Sequence, residues 1–270
     1  MKKIVLPTDF SDNAQNAIEY ALHLFEREEC IFYLVHAHDD VTSAPDNVVA
    51  SLKELKKKAK RIKVKNDNPK HRFKTILETD SVLNLVNRTV IDNAVEYVFM
   101  GTKGASALRG IFMGTNTVEV IKHLASCPIV VIPENYDCHL PEEIVFSSDF
   151  KHAFIAPELA ALITIAKLRD SAVSVVHIHT KKELGDDQKR NKEELKNSLK
   201  ELRSTFREVT MKTSISSTLY HLEQENEKIG MLVLLNTKHG FFKKLLREPI
   251  MKIIAFQTNV PLLVLPQIAD

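Results

Sequence analysis

Three glycines in the first half of the chain mark the stretch whose residue types could bind an anionic ligand. Gly101 and Gly104 stand at the start of a loop, and after nine intervening residues Gly114 stands at its end, followed by Thr115 and Asn116. Glycine lets the backbone approach a ligand closely and permits a positive φ in a tight turn. A helix that begins at Gly114 would offer unpaired amides and a positive dipole to phosphate. The stretch therefore predicts a cradle for nucleotide phosphates, although three glycines around a loop could also be turns alone.

The other residues that could do chemistry are fewer. The phosphate-binding signatures GxxxxGK[ST] and GxGxxG are absent from the sequence. No paired carboxylates, Ser/His/Asp set or metal-ligand group accompanies the glycines, so the sequence identifies no catalytic residue. His36 and His38, and later His177 and His179, are pairs whose members share a face of a strand and could chelate a metal. No third ligand of matching spacing exists, which favours a structural role at the ends of strands.

The elements that must position the glycine loop alternate along the chain. Short apolar runs, such as KIVLPT before Asp9, alternate with helical stripes, the first of which Ser11 or Asp12 can cap. This order predicts an α/β fold with a doubly wound, five-stranded parallel sheet in the strand order 3-2-1-4-5. Asp9 and Gly101 would then end adjacent strands and meet at one crevice. The carboxylate of Asp9 would repel phosphate, so we expect it near the sugar or base.

The second half of the chain repeats the sequence pattern of the first. EEIVFSSDFKHA echoes KKIVLPTDFSDNA, with Asp149 where Asp9 was, and NVPLLVLP echoes SCPIVVIP. Such a repeat predicts two tandem domains, residues 1–137 and 138–270. The second copy lacks the cradle: Ser147 replaces Pro7, Asn236 replaces Gly101, and Arg247 and Glu248 replace Gly114 and Thr115. The site is therefore predicted in the first domain only.

Composition narrows the class of protein. The chain has 270 residues, 44% of them hydrophobic, and a net charge of +2, so nothing demands nucleic acid or a membrane as partner. Three cysteines without a paired spacing indicate a reducing compartment. The start MKKIVLPTDF has too short an apolar run for a signal peptide, and no run is long enough to span a bilayer, so we expect a cytoplasmic protein.

Two charged segments carry little information on function. A helix predicted between Val41 and Lys65 is rich in lysine, which is typical of a solvated face. A nucleic-acid groove is the alternative, disfavoured because no aromatic residues lie between Lys53 and Lys65. The segment from Asp186 to Val209 has mixed charge and is typical of a solvated surface helix.

Four motifs together resemble the universal stress protein family. They are PTDFS after the first strand, VHA at the end of the second, MGTKG after the fourth, and MGTNT before a last helix and the strand PIVVIP. The resemblance covers the first half and, more weakly, the second. ATP-binding members of the family share the pattern G-x2-G-x9-G followed by Ser, Thr or Asn, which Gly101, Gly104, Gly114 and Thr115 match.

The resemblance implies a site for ATP, with Mg²⁺ left open. Pro7, Thr8 and Asp9 would line the adenosine pocket, the backbone of Ala37 would meet the adenine edge, and Met100 would pack nearby. Glycines 101 and 104 would approach ribose and phosphate, and the start of the last helix would take the phosphates. The expected nucleotide contacts are Pro7, Thr8, Asp9, Ala37, Met100, Gly101, Gly104, Gly114, Thr115 and Asn116.

The resemblance also implies a function, a nucleotide-dependent stress-response or regulatory factor. Slow ATP hydrolysis or self-phosphorylation follows by family analogy only, and a slow adenine-nucleotide hydrolase and a nucleotide-free interaction scaffold stay as alternatives. Family members commonly dimerise through the fifth strand, so PIVVIP and PLLVLP are expected to pair within one chain as a pseudo-dimer, with a further homodimer left open. Burying two apolar strand edges would be reason enough to retain the second copy.

Overall fold

A computed structural model of the protein describes residues 1–38, 45–104, 113–179, 183–236 and 258–268. The chain divides into two compact units, the first made of Met1–Ala107 and Gly114–Glu134 and the second made mainly of Asn135–Asp270. The first unit contains β1 (Lys2–Pro7), α1 (Asp12–Leu24), β2 (Cys30–Ala37), α2 (Pro45–Asn66), β3 (His71–Glu78), α3 (Val82–Asn93), β4 (Tyr97–Gly101), α4 (Thr115–His123) and β5 (Ile129–Ile132). Strand and helix alternate as the sequence predicts.

The five strands of the first unit form a parallel sheet in the order β3-β2-β1-β4-β5, which confirms the predicted order. Ile4, Val5 and Leu6 of the central strand are completely buried. Such continuous burial is expected when helices cover both faces of a parallel sheet. The chain leaves β1 toward β2 and later returns to β4 on its other side, so the topological switch point lies between β1 and β4.

Short polar side chains cap two helices of the first unit. Ser11 caps α1 by accepting a hydrogen bond from the Ala14 amide, and Ser81 caps α3 in the same way through the Asn84 amide. Each serine satisfies one of the amides that a helix start leaves unpaired. Of the two predicted caps for the first helix, Ser11 is therefore the residue that serves.

The second unit repeats this architecture with β6 (Glu143–Ser147), α5 (Ala156–Arg169), β7 (Ala172–His179), α6 (Asp186–Ser198), β8 (Ser204–Thr210), α7 (Ile215–Glu225), β9 (Ile229–Asn236) and β10 (Leu262–Pro266). Its parallel strands run in the order β8-β7-β6-β9-β10, which is again 3-2-1-4-5. The fold predicted for each half is therefore confirmed. Nowhere in the described ranges is there a helix long and apolar enough to cross a membrane.

Two features of the second unit differ from expectation. The single helix predicted from Asp186 to Val209 is wrong, because α6 ends at Ser198 and Val209 lies in β8. Residues of this outer strand are all exposed or half-buried, and their mixed charge resembles that of a surface helix. The helix α5 also begins seven residues after Asp149, whereas α1 begins three after Asp9.

A buried carboxylate accounts for the later start of α5. Glu158 is completely buried, and its Oε2 lies 2.7 Å from His152 Nε2 and accepts a hydrogen bond from the Ile155 amide at 3.2 Å. Its Oε1 accepts from the Ile268 amide at 2.9 Å. Glu158 thus fixes the segment before α5 and the segment after β10.

Candidate functional site

The loops after β1 and β4 meet at the switch point of the first unit. A Cβ atom placed on Gly104 would lie 2.5 Å from Asp9 Oδ2, so the carboxylate rests directly against this glycine. The Gly114 amide donates a hydrogen bond to the Thr102 carbonyl at 2.7 Å. The structure therefore brings Asp9, Gly104 and Gly114 together at one crevice, as the predicted strand order requires.

Gly101 is needed for packing between α1 and β4. A Cβ atom at Gly101 would lie 2.4 Å from Asn13 Oδ1 and 3.0 Å from the Asn13 carbonyl carbon. Neither Gly101 nor Gly104 has a φ in the left-handed region, so neither position uses the positive φ that glycine permits. Close approach by Asn13 of α1 at Gly101 and by Asp9 of the first loop at Gly104 is the physical reason for glycine at the two positions.

Asn13 is a site residue that the sequence analysis missed. Its side chain is buried, Oδ1 accepts hydrogen bonds from Lys103 N at 2.9 Å and Thr102 Oγ1 at 3.2 Å, and Nδ2 donates to the Ile132 carbonyl at 3.1 Å. One amide thus ties the ends of β4 and β5 to α1. The second copy of the repeat did carry a signal for this residue. There Ala153 stands in place of Asn13, and Asn236 stands in place of Gly101.

Replacing Gly101 by alanine is expected to lower the free energy of unfolding by roughly 1–3 kcal/mol, because the new methyl group overlaps Asn13. Urea unfolding measures the change. The control is Gly185→Ala, since a Cβ there would meet only Gln188 Oε1, at 3.8 Å, among the described atoms. Equal stability of the two variants would contradict the packing role of Gly101.

The start of α4 presents backbone amides and polar side chains. Gly114 is its N-cap, with φ −70° and ψ 159°, and as a glycine it has no side chain to cap the first amides. Thr115 and Asn116 are exposed, whereas Thr117 is buried and donates from Oγ1 to the Gly101 carbonyl at 2.9 Å. Thr117, which the sequence analysis also missed, therefore anchors the helix start to the end of β4. The resulting arrangement suits an anion, since unpaired amides and the positive helix end both favour negative charge.

Asp9 belongs to a tight turn that its own neighbours hold. Thr8 Oγ1 accepts a hydrogen bond from the Phe10 amide at 3.1 Å, and Asp9 Oδ1 accepts from the Ser11 amide at 3.1 Å and the Ser11 hydroxyl at 2.6 Å. Phe10 has a φ of 67°, and its ring lies 4.6 Å from that of His36. Nδ1 of His36 bonds the Thr8 carbonyl at 2.7 Å. This histidine therefore has the structural role at a strand end that its position predicts.

The second unit contains the same turn. Ser148 Oγ accepts from the Phe150 amide at 3.0 Å, and Asp149 Oδ1 accepts from the Lys151 amide at 3.1 Å. Phe150 has a φ of 56°, and its ring stacks on His177, whose Nδ1 bonds the Ser148 carbonyl at 3.0 Å. Because the turn persists where the glycines do not, its hydrogen bonds are a property of the fold. What distinguishes the first unit is the contact between Asp9 Oδ2 and Gly104.

The remaining predicted residues lie around the same edge of the sheet. Pro7 ends β1, Ala37 ends β2, and Met100 is buried at the penultimate position of β4. In the second unit Ser147 ends β6 and Asn236 ends β9. The replacements Arg247 and Glu248 lie outside the described residues.

Two lysines border the crevice. Lys103 Nζ is 2.8 Å from Glu134 Oε2, so this side chain is already paired. Lys58 of α2 is half-buried with its Nζ 6.0 Å from the centre of the Phe10 ring. Burial lowers the pKa of Lys58, and the nearby carboxylates of Asp9 and Asp12 act in the opposite direction. The sequence analysis missed Lys58 because it stands within a run of lysines. Arg109, in the loop between Gly104 and Gly114, lies outside the described residues.

Comparison with known proteins identifies the family. Residues 1–133 match the model of the universal stress protein family. A universal stress protein of Methanocaldococcus jannaschii is 26% identical over 153 residues, which cover 48% of this chain and 94% of that protein. The crystal structure of a universal stress protein from Archaeoglobus fulgidus superposes with a TM-score of 0.69 at 15% identity, covering 98% of each chain.

A functionally unknown protein from Pseudomonas aeruginosa has the same fold, with a TM-score of 0.61 at 11% identity over 98% of this chain and 92% of that one. The two structural likenesses extend over both units, whereas the family match covers the first. Residues 1–133, just under half of the chain, therefore form a universal stress protein domain.

Proposed function

We propose that the protein binds ATP in its first domain, residues 1–137, and acts as a nucleotide-dependent stress-response or regulatory factor. The observation that carries this proposal is the meeting of three features at one crevice. The α4 helix starts beside Gly104 without a side-chain cap, it exposes Thr115 and Asn116, and Asp9 lies opposite. These groups can bind a polar ligand that has an anionic end and a hydroxylated end.

The phosphates would lie at the start of α4. Amides of a helix start donate to phosphate oxygens, and the Thr115 hydroxyl and Asn116 side chain can add charge-assisted hydrogen bonds of about 1.5–3 kcal/mol each. Mg²⁺, if it accompanies ATP, would be held mainly by the phosphates, because this ion usually keeps several waters.

Adenosine would lie over the carboxyl ends of β1 and β2. The Oδ2 of Asp9 lies against Gly104 on the crevice side and would accept a hydrogen bond from a ribose hydroxyl. Pro7, Thr8 and Met100 would form the floor, and the backbone of Ala37 would meet the adenine edge. With the Asp9 carboxylate near the sugar and the α4 amides near the phosphates, the negative charges of protein and ligand stay apart.

Calorimetric titration with ATP and Mg²⁺ tests the proposal, with one nucleotide expected per chain. Nucleotide released from the purified, denatured protein gives a second readout by mass spectrometry. The absence of both signals would favour an interaction scaffold without nucleotide. Rapid ATP turnover that Asp9→Asn abolishes, with binding retained, would favour a hydrolase instead. Two nucleotides per chain would assign a site to the second domain, residues 138–270, as well.

The cytoplasmic location, the pairing of the two domains and any further homodimer stay predictions from the sequence. The first rests on the composition of the sequence, and the other two rest on the family resemblance. None of them is needed for nucleotide binding by the first domain.

A further inference from the structure

The two units differ most in the charge of their second helix. In α2, eight basic residues stand against two acidic ones, a net charge of +6. In α6, the corresponding helix of the second unit, four basic residues stand against four acidic ones. Since the whole chain has a net charge of +2, everything outside α2 sums to −4. The small net charge of the whole chain is therefore compatible with one strongly basic helix, α2.

Ion pairing shows the same contrast. Every basic residue of α6 has an acidic partner: Lys189–Asp186 at 3.8 Å, Arg190–Asp187 at 3.0 Å, Lys192–Glu208 at 3.1 Å and Lys196–Glu193 at 2.6 Å. In α2 only Lys57, with Glu54 at 3.9 Å, and Lys65, with Glu19 at 2.7 Å, are paired within the described part of the chain. Like charges three or four residues apart destabilise a helix. The balanced α6 shows that this fold position does not require such an excess.

One exposed face of α2 combines lysines with apolar side chains. Val49, Lys53, Lys57, Lys60 and Val64, here called the lysine row, follow one another at helical spacing and are all exposed. At 1.5 Å per residue the row is about 22 Å long. The row lies on the opposite side of the helix from Leu55 and Ile62, which are buried.

The lysine row also points away from the nucleotide crevice. Lys58 marks the side of α2 that faces Asp9 and Phe10. With about 100° between successive helical residues, the three lysines of the row are turned from Lys58 by about 100° to 160°. Attraction of nucleotide to the crevice therefore does not explain them.

We propose that the lysine row is a docking surface for an anionic lipid membrane. Lysine ammonium groups bind headgroup phosphates without demanding a fixed geometry, and clusters of basic residues on a helix suit such a surface. The two valines that end the row, 49% and 72% exposed, would enter the interface between headgroups and acyl chains.

The same residues do not suit nucleic acid. The row contains no aromatic ring for stacking on bases and no amide side chain for reading them, and exposed valines gain nothing beside a phosphate backbone.

The sequence-based expectation of no membrane partner rested on the net charge and on the lack of a spanning segment. Neither observation bears on a peripheral contact through one helix face. This inference is independent of nucleotide binding.

Vesicle co-flotation of the full chain tests the docking surface. The protein is expected to bind vesicles of phosphatidylcholine with about one third phosphatidylglycerol, and not those of phosphatidylcholine alone, with binding lost when NaCl rises to about 0.5 M. Replacing Lys53, Lys57 and Lys60 together by glutamine should weaken partitioning roughly 100-fold, since each lysine near the surface contributes roughly fivefold. Val64→Ser should weaken it roughly fivefold, without any change in net charge.

The matched control removes three charges from α6. Lys189→Gln, Arg190→Gln and Lys196→Gln, combined in one chain, lower the net charge equally and should leave partitioning unchanged. Equal loss in both triple variants would overturn the proposal, because only total charge would then matter. No binding to anionic vesicles would overturn it too. Tight binding of a short DNA duplex that Val64→Ser leaves intact, without vesicle binding, would assign the row to nucleic acid instead.

Discussion

Replacing Gly114 by glutamate is expected to abolish ATP binding while the protein stays folded. The backbone at Gly114 has a φ of −70°, which any residue can adopt, and a Cβ there would meet its nearest neighbours at 3.6 Å, an ordinary contact. A glutamate at a helix start is also compatible with the helix dipole. The fold should therefore tolerate the change, whereas bound phosphates would meet a second negative charge.

The expected weakening of the dissociation constant is at least roughly 100-fold, because two or more charge-assisted contacts are lost. Calorimetric titration with ATP measures it, and the thermal midpoint of unfolding checks the fold. Gly114→Ala is the control, since it adds a Cβ without charge and should keep most of the affinity. Unchanged affinity in the glutamate variant would place the phosphates elsewhere. A comparable loss on replacing Arg247 would direct attention to the second unit.

The elements around this site follow from local sequence patterns. Continuous apolar runs predict buried parallel strands, Ser11 predicts the start of α1, and Gly114 predicts the start of α4. Each of these depends on residues within one turn or one strand. Strand order follows as well, because the alternation of elements leaves few ways to build a parallel sheet. The position of the crevice could therefore be predicted without coordinates.

The side chains that hold the loops could not be predicted in the same way. Asn13 bonds to residues about 90 and 119 positions away, and Thr117 bonds to Gly101 across the whole glycine loop. Periodicity contains no information about such partners. Lys58 resembles its neighbours in sequence, and only the packing of α2 beside α1 distinguishes it. Lys53 is the converse case, because only the coordinates show that it has no acidic partner within the described part of the chain.

The internal repeat separates what the fold needs from what the ligand needs. Asp9 and Asp149 hold the same turn with nearly the same distances, so an aspartate at this position does not by itself indicate a nucleotide site. Gly104 and the open start of α4 are the features found beside Asp9. The proposed ligand role for Asp9 rests on the position of its Oδ2, which lies against Gly104 on the crevice side.

Glu223 in α7 makes the stability of the second unit depend on pH. The side chain is 7% exposed, its Oε2 accepts a hydrogen bond from the Asn259 amide at 3.0 Å, and its Oε1 is buried without a partner among the described residues. Burial raises the pKa of Glu223 to about 7, while the Asn259 amide and the Thr258 hydroxyl act in the opposite direction. The carboxyl is therefore protonated in the folded state at pH values where the unfolded chain has already ionised.

The sign of the effect follows from this difference. Below the ordinary pKa of 4.5 both states are protonated, and the carboxyl does not weaken the fold. Between these values the unfolded chain ionises while the folded carboxyl stays protonated, so the free energy of unfolding falls as pH rises from 4.5 to about 7. Above about 7 the carboxyl is charged in both states, and its buried charge destabilises the folded unit. With about 1.4 kcal/mol for each pKa unit, the loss is on the order of 3 kcal/mol.

Glu223→Gln is therefore expected to raise the free energy of unfolding by on the order of 3 kcal/mol at about pH 8 and to change it little at about pH 4.5. Glutamine keeps the shape and an oxygen that can accept from the Asn259 amide, but it has no charge to bury. Urea unfolding at the two pH values measures the difference, and an effect of equal size at both would contradict a titrating carboxyl.

Glu158→Gln is the matched control at high pH. Glu158 contacts His152 and accepts from two amides, so its replacement should destabilise the unit by about 1–3 kcal/mol, the opposite sign. Two buried glutamates in one unit thus differ in effect because only one of them has partners for both oxygens.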